Sequence, residues 1–527
     1  MKRRDFIVKG TTAAGIPLML NGMNMEAFAE GSMYNQLYES LVANDHILVI
    51  IQLAGGNDGV NTVIPLDQYS SYYNARTNIA IKEQKVLPFF NHPETGFHPA
   101  MAEMMEMYKN GNLSVVQSVG YPNPNFSHFR GTDILHTASD YNQVLSTGWL
   151  GRTLNEMYPG FPIGYPNDKM KDPIAIQFGS NYSLGLLGPI MQMGYTITDP
   201  NNVSGSNVPG DPIPPNTPAG QKLSYLRQVS NQANKYSIGI QDAYTAGLKN
   251  FVNYPVGNVI ANQLKVIARL INGGLQTKIY VANMNGFDIH STQTNGGDND
   301  TGLHATLLSR VSTAVSAFHN DLKIMGKDKK VVGMTVSEFG RRIKSNSSGG
   351  TDHGAAAPMF IFGSEVNGGI IGTNPIMPNP PNTDNVPYQY DFRSVYWSIL
   401  KNWLCQDSPT LMATMLRGFQ ELPIINDSAC TTPAPPKHVS RQNLIEAYPN
   451  PVVNSTVIEL KVINPGHVLV QMLSSQGRVI RTVYENQREP VGVIRKTVTL
   501  SGFQLGVYYI RFQSGFTTQM KAIIKVN

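Results

Sequence analysis

HILVIIQLAGGNDG, His46 to Gly59, is a continuous apolar run that ends in a glycine-rich turn. An amphipathic strand would alternate; an unbroken run of this length suits a strand buried on both faces, as in a parallel sheet covered by helices. The segments around it repeat the theme. FHPAMAEMMEMYKNGNLSVVQSVG, Phe97 to Gly120, reads as helix, turn and strand, and TKIYVANMNGFDIH, Thr277 to His290, as a strand running into a polar loop. HATLLSRVSTAVSAFHNDL places Leu307, Val311, Val315, Phe318 and Leu322 on one helical face. KKVVGMTVSEFG, APMFIFG and DFRSVYWSILKNWL complete an alternating series that predicts an α/β domain with a mostly parallel central sheet.

At 527 residues with 41% apolar content, the chain has room for two or three domains. Its formal charge of +5 is unevenly spread: residues 1–29 carry +2, residues 438–527 carry +6, and the body between them is left at −3. An acidic body lacks the basic footprint that a phosphate backbone requires, which argues against nucleic acid. The first 29 residues have a basic start, an apolar stretch and Ala27-Phe28-Ala29, the pattern of a cleaved signal peptide. Arg3-Arg4 before Asp5-Phe6-Ile7 resembles a twin-arginine signal, with an ordinary secretory signal as the alternative. No other run approaches the roughly 20 apolar residues of a spanning helix. Cys405 and Cys430 are too few for a disulfide framework but can form one bridge in an oxidising compartment.

The organisation expected is a signal peptide at 1–29, an α/β domain at 30–430, a Pro-rich linker at 431–444 and a β-sandwich at 445–527. The last segment is built of short β-branched runs such as STVIELKV, GVIRKTVTL and TTQMKAIIKV between Gly, Asn and Ser turns. AYPNPVVNSTVIEL, LSSQGRVI and LGVYYIRF resemble the C-terminal sorting domain of the type IX secretion system of Bacteroidetes. That resemblance implies secretion machinery as a partner and a cell-surface or extracellular destination by way of the periplasm. A carbohydrate-binding or adhesive sandwich is the alternative.

In open α/β sheets, ligands bind beyond the carboxyl ends of the strands, and the polar residues of interest fall there. Asp58 follows the first apolar run; Ser127 and Arg130 lie in NFSHFRG; Asp288 and His290 follow KIYVANMNGF; Glu338 follows VVGMTVS; His353 ends the loop before APMFIFG. Carboxylates, imidazoles and a hydroxyl together suit divalent cations that take mixed N/O ligands and activate an oxygen nucleophile. Taken singly, Asp58 is equally a turn residue, Ser127 a helix N-cap and His353 a loop histidine.

LAGGNDGVNTVIPL, NFSHFRGTDIL, GWLGR, NGFDIHSTQ, SEFGRR, GTDHGAAAPMFIFG and DFRSVYWSILKNWL resemble the family called domain of unknown function 1501, a branch of the alkaline phosphatase and sulfatase superfamily. The resemblance implies an alkaline-phosphatase-like α/β sandwich followed by the small C-terminal β-sandwich. It also implies one or two divalent ions, zinc first, with calcium, magnesium or manganese as alternatives. Asp58, Glu338 and Ser127 would hold one ion and Asp288, His290 and His353 the other, with Ser127 as nucleophile and Arg130 or Arg341 clamping anionic oxygens.

Three departures accompany it. Glu338-Phe339 stands where the superfamily has Asp-His, leaving Asn57, Asp352, His128 or water as substitutes. Asp288-Ile-His290 is shorter than the usual Asp-x-x-x-His, which makes His304 a rival of His290. SHFRG lacks the C/S-x-P-x-R motif of sulfatases that convert a Cys or Ser. The expected activity is metal-dependent hydrolysis of phosphate or sulfate esters on small molecules or surface polymers. The alternative is a non-catalytic surface protein that keeps the fold.

Overall fold

In this computed structural model the described residues are 45–199, 218–430 and 445–526, apart from short gaps, together with the two-residue strands Met19–Leu20 and Met23–Asn24. The expected signal peptide, apart from those two strands, and the Pro-rich linker lie outside them. Residues 200–217 and 379–384 lie outside them as well.

The main body is built on a nine-stranded sheet. Its strands are β1 (Ile47–Ala54), β2 (Leu113–Gly120), β3 (Ala175–Phe178), β4 (Tyr195–Ile197), β5 (Ile279–Asn285), β6 (Val331–Val336), β7 (Ala357–Phe362), β8 (Gly369–Ile371) and β9 (Tyr390–Asp391). The order is β8-β2-β7-β6-β1-β5-β3-β4, with β9 also on β2. Every pairing is parallel except those of β7, which runs antiparallel to β6 and β2. The sheet is mixed but mostly parallel, as the sequence predicts.

Burial on both faces explains the unbroken apolar runs. Val49, Ile51 and Leu53 of β1 enter one core with the helices α2 (Val259–Asn272) and α3 (Leu303–Ile324). Leu48 and Ile50 enter a second core with α1 (His128–Thr137) and α4 (Phe392–Asn402). Alternate side chains of a strand point to opposite faces, so a strand between two helical layers must be apolar at every position. Leu307, Val311, Val315, Phe318 and Leu322 of α3 are all buried, as their spacing predicts. A 29-residue helix, Pro218–Ala246, was not singled out by its sequence.

Residues after the linker form two antiparallel sheets around their own core. Ile445–Tyr448, Ser455–Val462 and Gly492–Thr499 make the first; Val479–Glu489, Gly466–Leu473, Gly506–Ser514 and Thr517–Lys525 make the second. Ile458, Leu460, Val470, Ile510 and Phe512 are among the side chains that fill the space between them. This is a small β-sandwich.

Cys405 and Cys430 are bonded, tying the chain after α4 to the last residues before the linker. The bridge joins positions 25 residues apart. Closing a loop of that size restricts the unfolded chain by about 3 kcal/mol. Changing both cysteines to serine should lower the unfolding free energy by about that amount in denaturant titrations, and adding a thiol reductant to the wild type should have a similar effect.

Candidate metal centre

The carboxyl ends of β1, β2, β5 and β6 meet at one edge of the sheet because these strands run in the same direction. The reversal of β7 brings its first residue to that edge too: Ala357 pairs with Val119 near the end of β2. The loop carrying His353 therefore arrives beside the others, held by the short pairing of Gly340-Arg341 with His353-Gly354.

Asp288 is the centre of the arrangement. Its Oδ1 lies 2.9 Å from His290 Nε2 and 3.2 Å from His353 Nε2, and its Oδ2 lies 3.3 Å from His128 Nε2. The Nε2 atoms of His290 and His353 are themselves 2.9 Å apart. Three imidazole nitrogens thus converge on one carboxylate. The site is open, with Asp288 47% and His290 46% exposed.

The other ring nitrogens show which atoms face inward. His353 Nδ1 meets the carbonyl of Phe126 at 2.7 Å, and a carbonyl only accepts, so Nδ1 carries the proton. His128 Nδ1 meets Glu338 Oε1 at 2.8 Å and donates to it. In the neutral rings both Nε2 atoms therefore present lone pairs toward Asp288. This is the outer support that ligating histidines usually have. The Phe339 ring packs against both imidazoles, with centroids 4.9 Å from His128 and 4.6 Å from His353.

Arg341 holds Asp288 in place. Buried among loop carbonyls, it donates from Nη2 to Asp288 Oδ1 at 2.7 Å and to the carbonyls of Gly55 and Phe287, from Nε to Gly56 O, and from Nη1 to Thr351 O. Desolvation alone would raise the Asp288 carboxyl, but the bond and charge of Arg341 outweigh it and hold it below its ordinary value.

Three further observations make this arrangement fit a divalent cation. The nitrogens of His290 and His353 face each other across hydrogen-bond distance beside a carboxylate oxygen. His128 Nε2 is buried and, though close to Asp288, lacks hydrogen-bond alignment. Glu338 Oε2 is buried with no partner. A borderline ion such as zinc takes such N/O donors.

The remaining candidates stand elsewhere. Asp58 is buried and caps the short helix Gly59–Thr62; its carboxylate pairs with Arg76 at 2.8 Å and accepts from Gln293 at 2.7 Å. Glu338 Oε1 accepts from Gly55 N and from His128. His304 faces Asn57 Oδ1 at 3.1 Å, away from Asp288, and burial pushes it down to about 4, so it is neutral at pH 7. Asp352 Oδ1 is 3.7 Å from His290 Nδ1 and accepts from Asn346.

Ser127 is exposed at the N-cap of α1, next to His128, and its hydroxyl makes no capping bond. Arg130 donates to the carbonyls of Asp140, Tyr141 and Gln143, so its guanidinium fastens a loop. The sequence offers His128 only as a substitute ligand and gives no pointer to Arg76. The adjacency of Ser127 and His128 in SHFRG was the one available signal for the first; NARTN offers none for the second.

Residues 260–390 match the model of the family described as protein of unknown function DUF1501, and residues 446–526 match the secretion system C-terminal sorting domain. The second match marks the chain for secretion to the cell surface or beyond it. No curated protein matches. Among solved structures, the chain is similar to a protein in the alkaline phosphatase superfamily from Vibrio parahaemolyticus, at 9% identity and a TM-score of 0.34 over 94% of this chain and 92% of that one. It is also similar to the PsFucS1 sulfatase from Pseudoalteromonas sp., at 9% identity and a TM-score of 0.32 over 89% and 86% of the two chains. Likenesses this loose assign no residue a role.

The Asp58–Arg76 pair makes stability depend on pH. Burial would raise the Asp58 carboxyl, but Arg76 and Gln293 hold it below its ordinary value. A depressed carboxyl contributes stability above its unfolded pKa of about 3.9 and loses that contribution as pH falls through the folded one. Arg76→Met should cost about 3–5 kcal/mol at pH 7, because it leaves a buried charge unpaired. In urea titrations the gap from wild type should narrow as pH falls and close only below the depressed wild-type value, where Asp58 is protonated in both folded proteins.

Proposed function

We propose that the chain is an exported, metal-dependent hydrolase of phosphate or sulfate esters. The single observation that carries the reading is the convergence of the Nε2 atoms of His128, His290 and His353 on the Asp288 carboxylate. Those four residues would hold a divalent ion, zinc first, with calcium, magnesium or manganese as alternatives. When bound, such an ion supplies Lewis-acid stabilisation of the ester's anionic oxygens and lowers the pKa of a nearby hydroxyl.

The chain's own groups do the rest. Arg341 keeps Asp288 ionised and aimed, Glu338 and the Phe126 carbonyl set the His128 and His353 rings, and Ser127 offers an exposed hydroxyl at the head of α1. Backbone N–H groups of that first turn can receive the negative charge that develops as the serine attacks. A small molecule or a surface polymer can reach so open a site. The second reading is a non-catalytic surface protein, favoured by one observation: Arg341 spends its donors on backbone carbonyls and on Asp288 and has none left to clamp substrate.

Metal analysis of the purified protein, with chromogenic phosphomonoesters, phosphodiesters and sulfate esters, tests the reading. His353→Ala should lower the metal content, and Glu338→Gln should weaken affinity about 10–100-fold through its effect on His128. Ser127→Ala should cost about a hundredfold or more in turnover while leaving the fold intact, since a lost N-cap costs about 1 kcal/mol. A protein with neither metal nor turnover supports the binding reading. An active enzyme indifferent to Ser127 would point to water as the nucleophile.

The domain plan belongs to the same proposal: signal peptide 1–29, hydrolase domain 30–430, linker 431–444 and sorting domain 445–527. The sorting domain has its own core. Deleting residues 438–527 should therefore leave a folded protein retained in the periplasm, visible by cell fractionation. Appearance of the truncated protein at the surface or in the medium would refute the sorting role.

A further inference from the structure

Resting on that metal-hydrolase reading, we propose that the centre takes one divalent cation rather than two, because the Arg76 guanidinium fills the place a second cation would occupy against Asp58. Both oxygens of Asp58 are already engaged. Oδ1 accepts from Arg76 Nη1 at 2.9 Å and from Asn61 N at 3.4 Å; Oδ2 accepts from Arg76 Nη1 at 2.8 Å and from Gln293 Nε2 at 2.7 Å.

Arg76 is fastened from its other side as well. It is fully buried, and it donates from Nε to Ile343 O at 2.9 Å, from Nη2 to Arg342 O at 2.8 Å and from Nη1 to Asn61 Oδ1 at 3.0 Å. The guanidinium cannot swing into water to make room without leaving buried carbonyls unpaired. A divalent ion at Asp58 would also sit against a fixed positive charge in a poorly screened interior.

The other residues that could serve a second ion are too few. Glu338 has one free oxygen, since Oε1 accepts from Gly55 N and His128 Nδ1. Asn57 uses Oδ1 with His304 and Nδ2 with Thr62. Among the described residues, two separate places bring three His, Cys, Asp or Glu side chains close enough to share an ion. One is His128, Asp288 and His353; the other is His46 with Cys405 and Cys430, whose sulfurs are bonded to each other. A lone carboxylate oxygen falls short of the three or four protein ligands such an ion needs. Asp58 thus keeps the place the resemblance implies, but with a cationic partner built into the chain.

The test counts metal on the full chain loaded with zinc and then dialysed. Wild type and the double variant D58N/R76M, in which both charges of the pair are removed together, should each retain one ion per chain with equal affinity. Two ions in the wild type, one of them lost in the double variant, would overturn the inference. Zinc anomalous scattering from crystals of the wild type gives the same decision should the double variant fail to fold. A single peak beside Asp288 is expected, and a second peak in contact with Asp58 overturns the proposal. A wild type that retains no ion removes the metal-hydrolase reading and this inference with it.

Discussion

The geometry of the candidate centre depends on one buried guanidinium. Arg341 cannot lose its charge and brings five donors that water does not reach, so burying it requires acceptors on every side. The acceptors come from three separate loops: Gly55 and Gly56 after β1, Phe287 and Asp288 after β5, and Thr351 ahead of β7. Satisfying one side chain thereby sets the relative positions of the loops that carry Asp288, His290 and His353. The site is assembled by hydrogen-bond demand at a position that never needs to touch a ligand.

A second buried guanidinium plays a different part. Arg76 sits against Asp58, and neither is solvated, so each makes the other's burial tolerable. The pair lies beneath the turn that follows β1, where it supports the short helix Gly59–Thr62 through Asp58 and Asn61. One carboxylate after a strand end is thus devoted to holding the fold, while Asp288, after another strand end, stays half exposed among imidazoles. Unmatched polar atoms gather round the second: His128 Nε2 and Glu338 Oε2 are both buried without a hydrogen bond. Buried polar atoms are normally paired, and a ligand at this position would complete these two.

Much of the architecture was legible in the chain. The continuous apolar run from Ile47 to Ala54 required two covered faces, and the structure covers it with helices on both sides. The helical face of α3 and the separate β-rich end followed from periodicities of 3.6 and 2. The helix Pro218–Ala246 escaped because its run, QKLSYLRQVSNQANKYS, is too polar to display a clear apolar stripe. The reversal of β7 was equally hidden: APMFIFG is as apolar as its parallel neighbours, and strand direction leaves no mark on composition.

By itself the sequence determined which side chains lie at strand ends, because strand positions follow from hydrophobic pattern and loops follow from Gly and Asn punctuation. It could therefore present Asp58, Ser127, Asp288, His290, Glu338 and His353 as candidates. Only the tertiary structure decided how they divide. Asp58 meets Arg76, 18 positions along; Glu338 meets His128, 210 positions back; His290, and not His304, reaches Asp288. The physical reason is that a carboxylate takes its role from whichever cation, donor or vacancy stands within about 3 Å of it. That distance is set by the packing of segments remote in sequence, to which hydrophobic period and turn chemistry are blind.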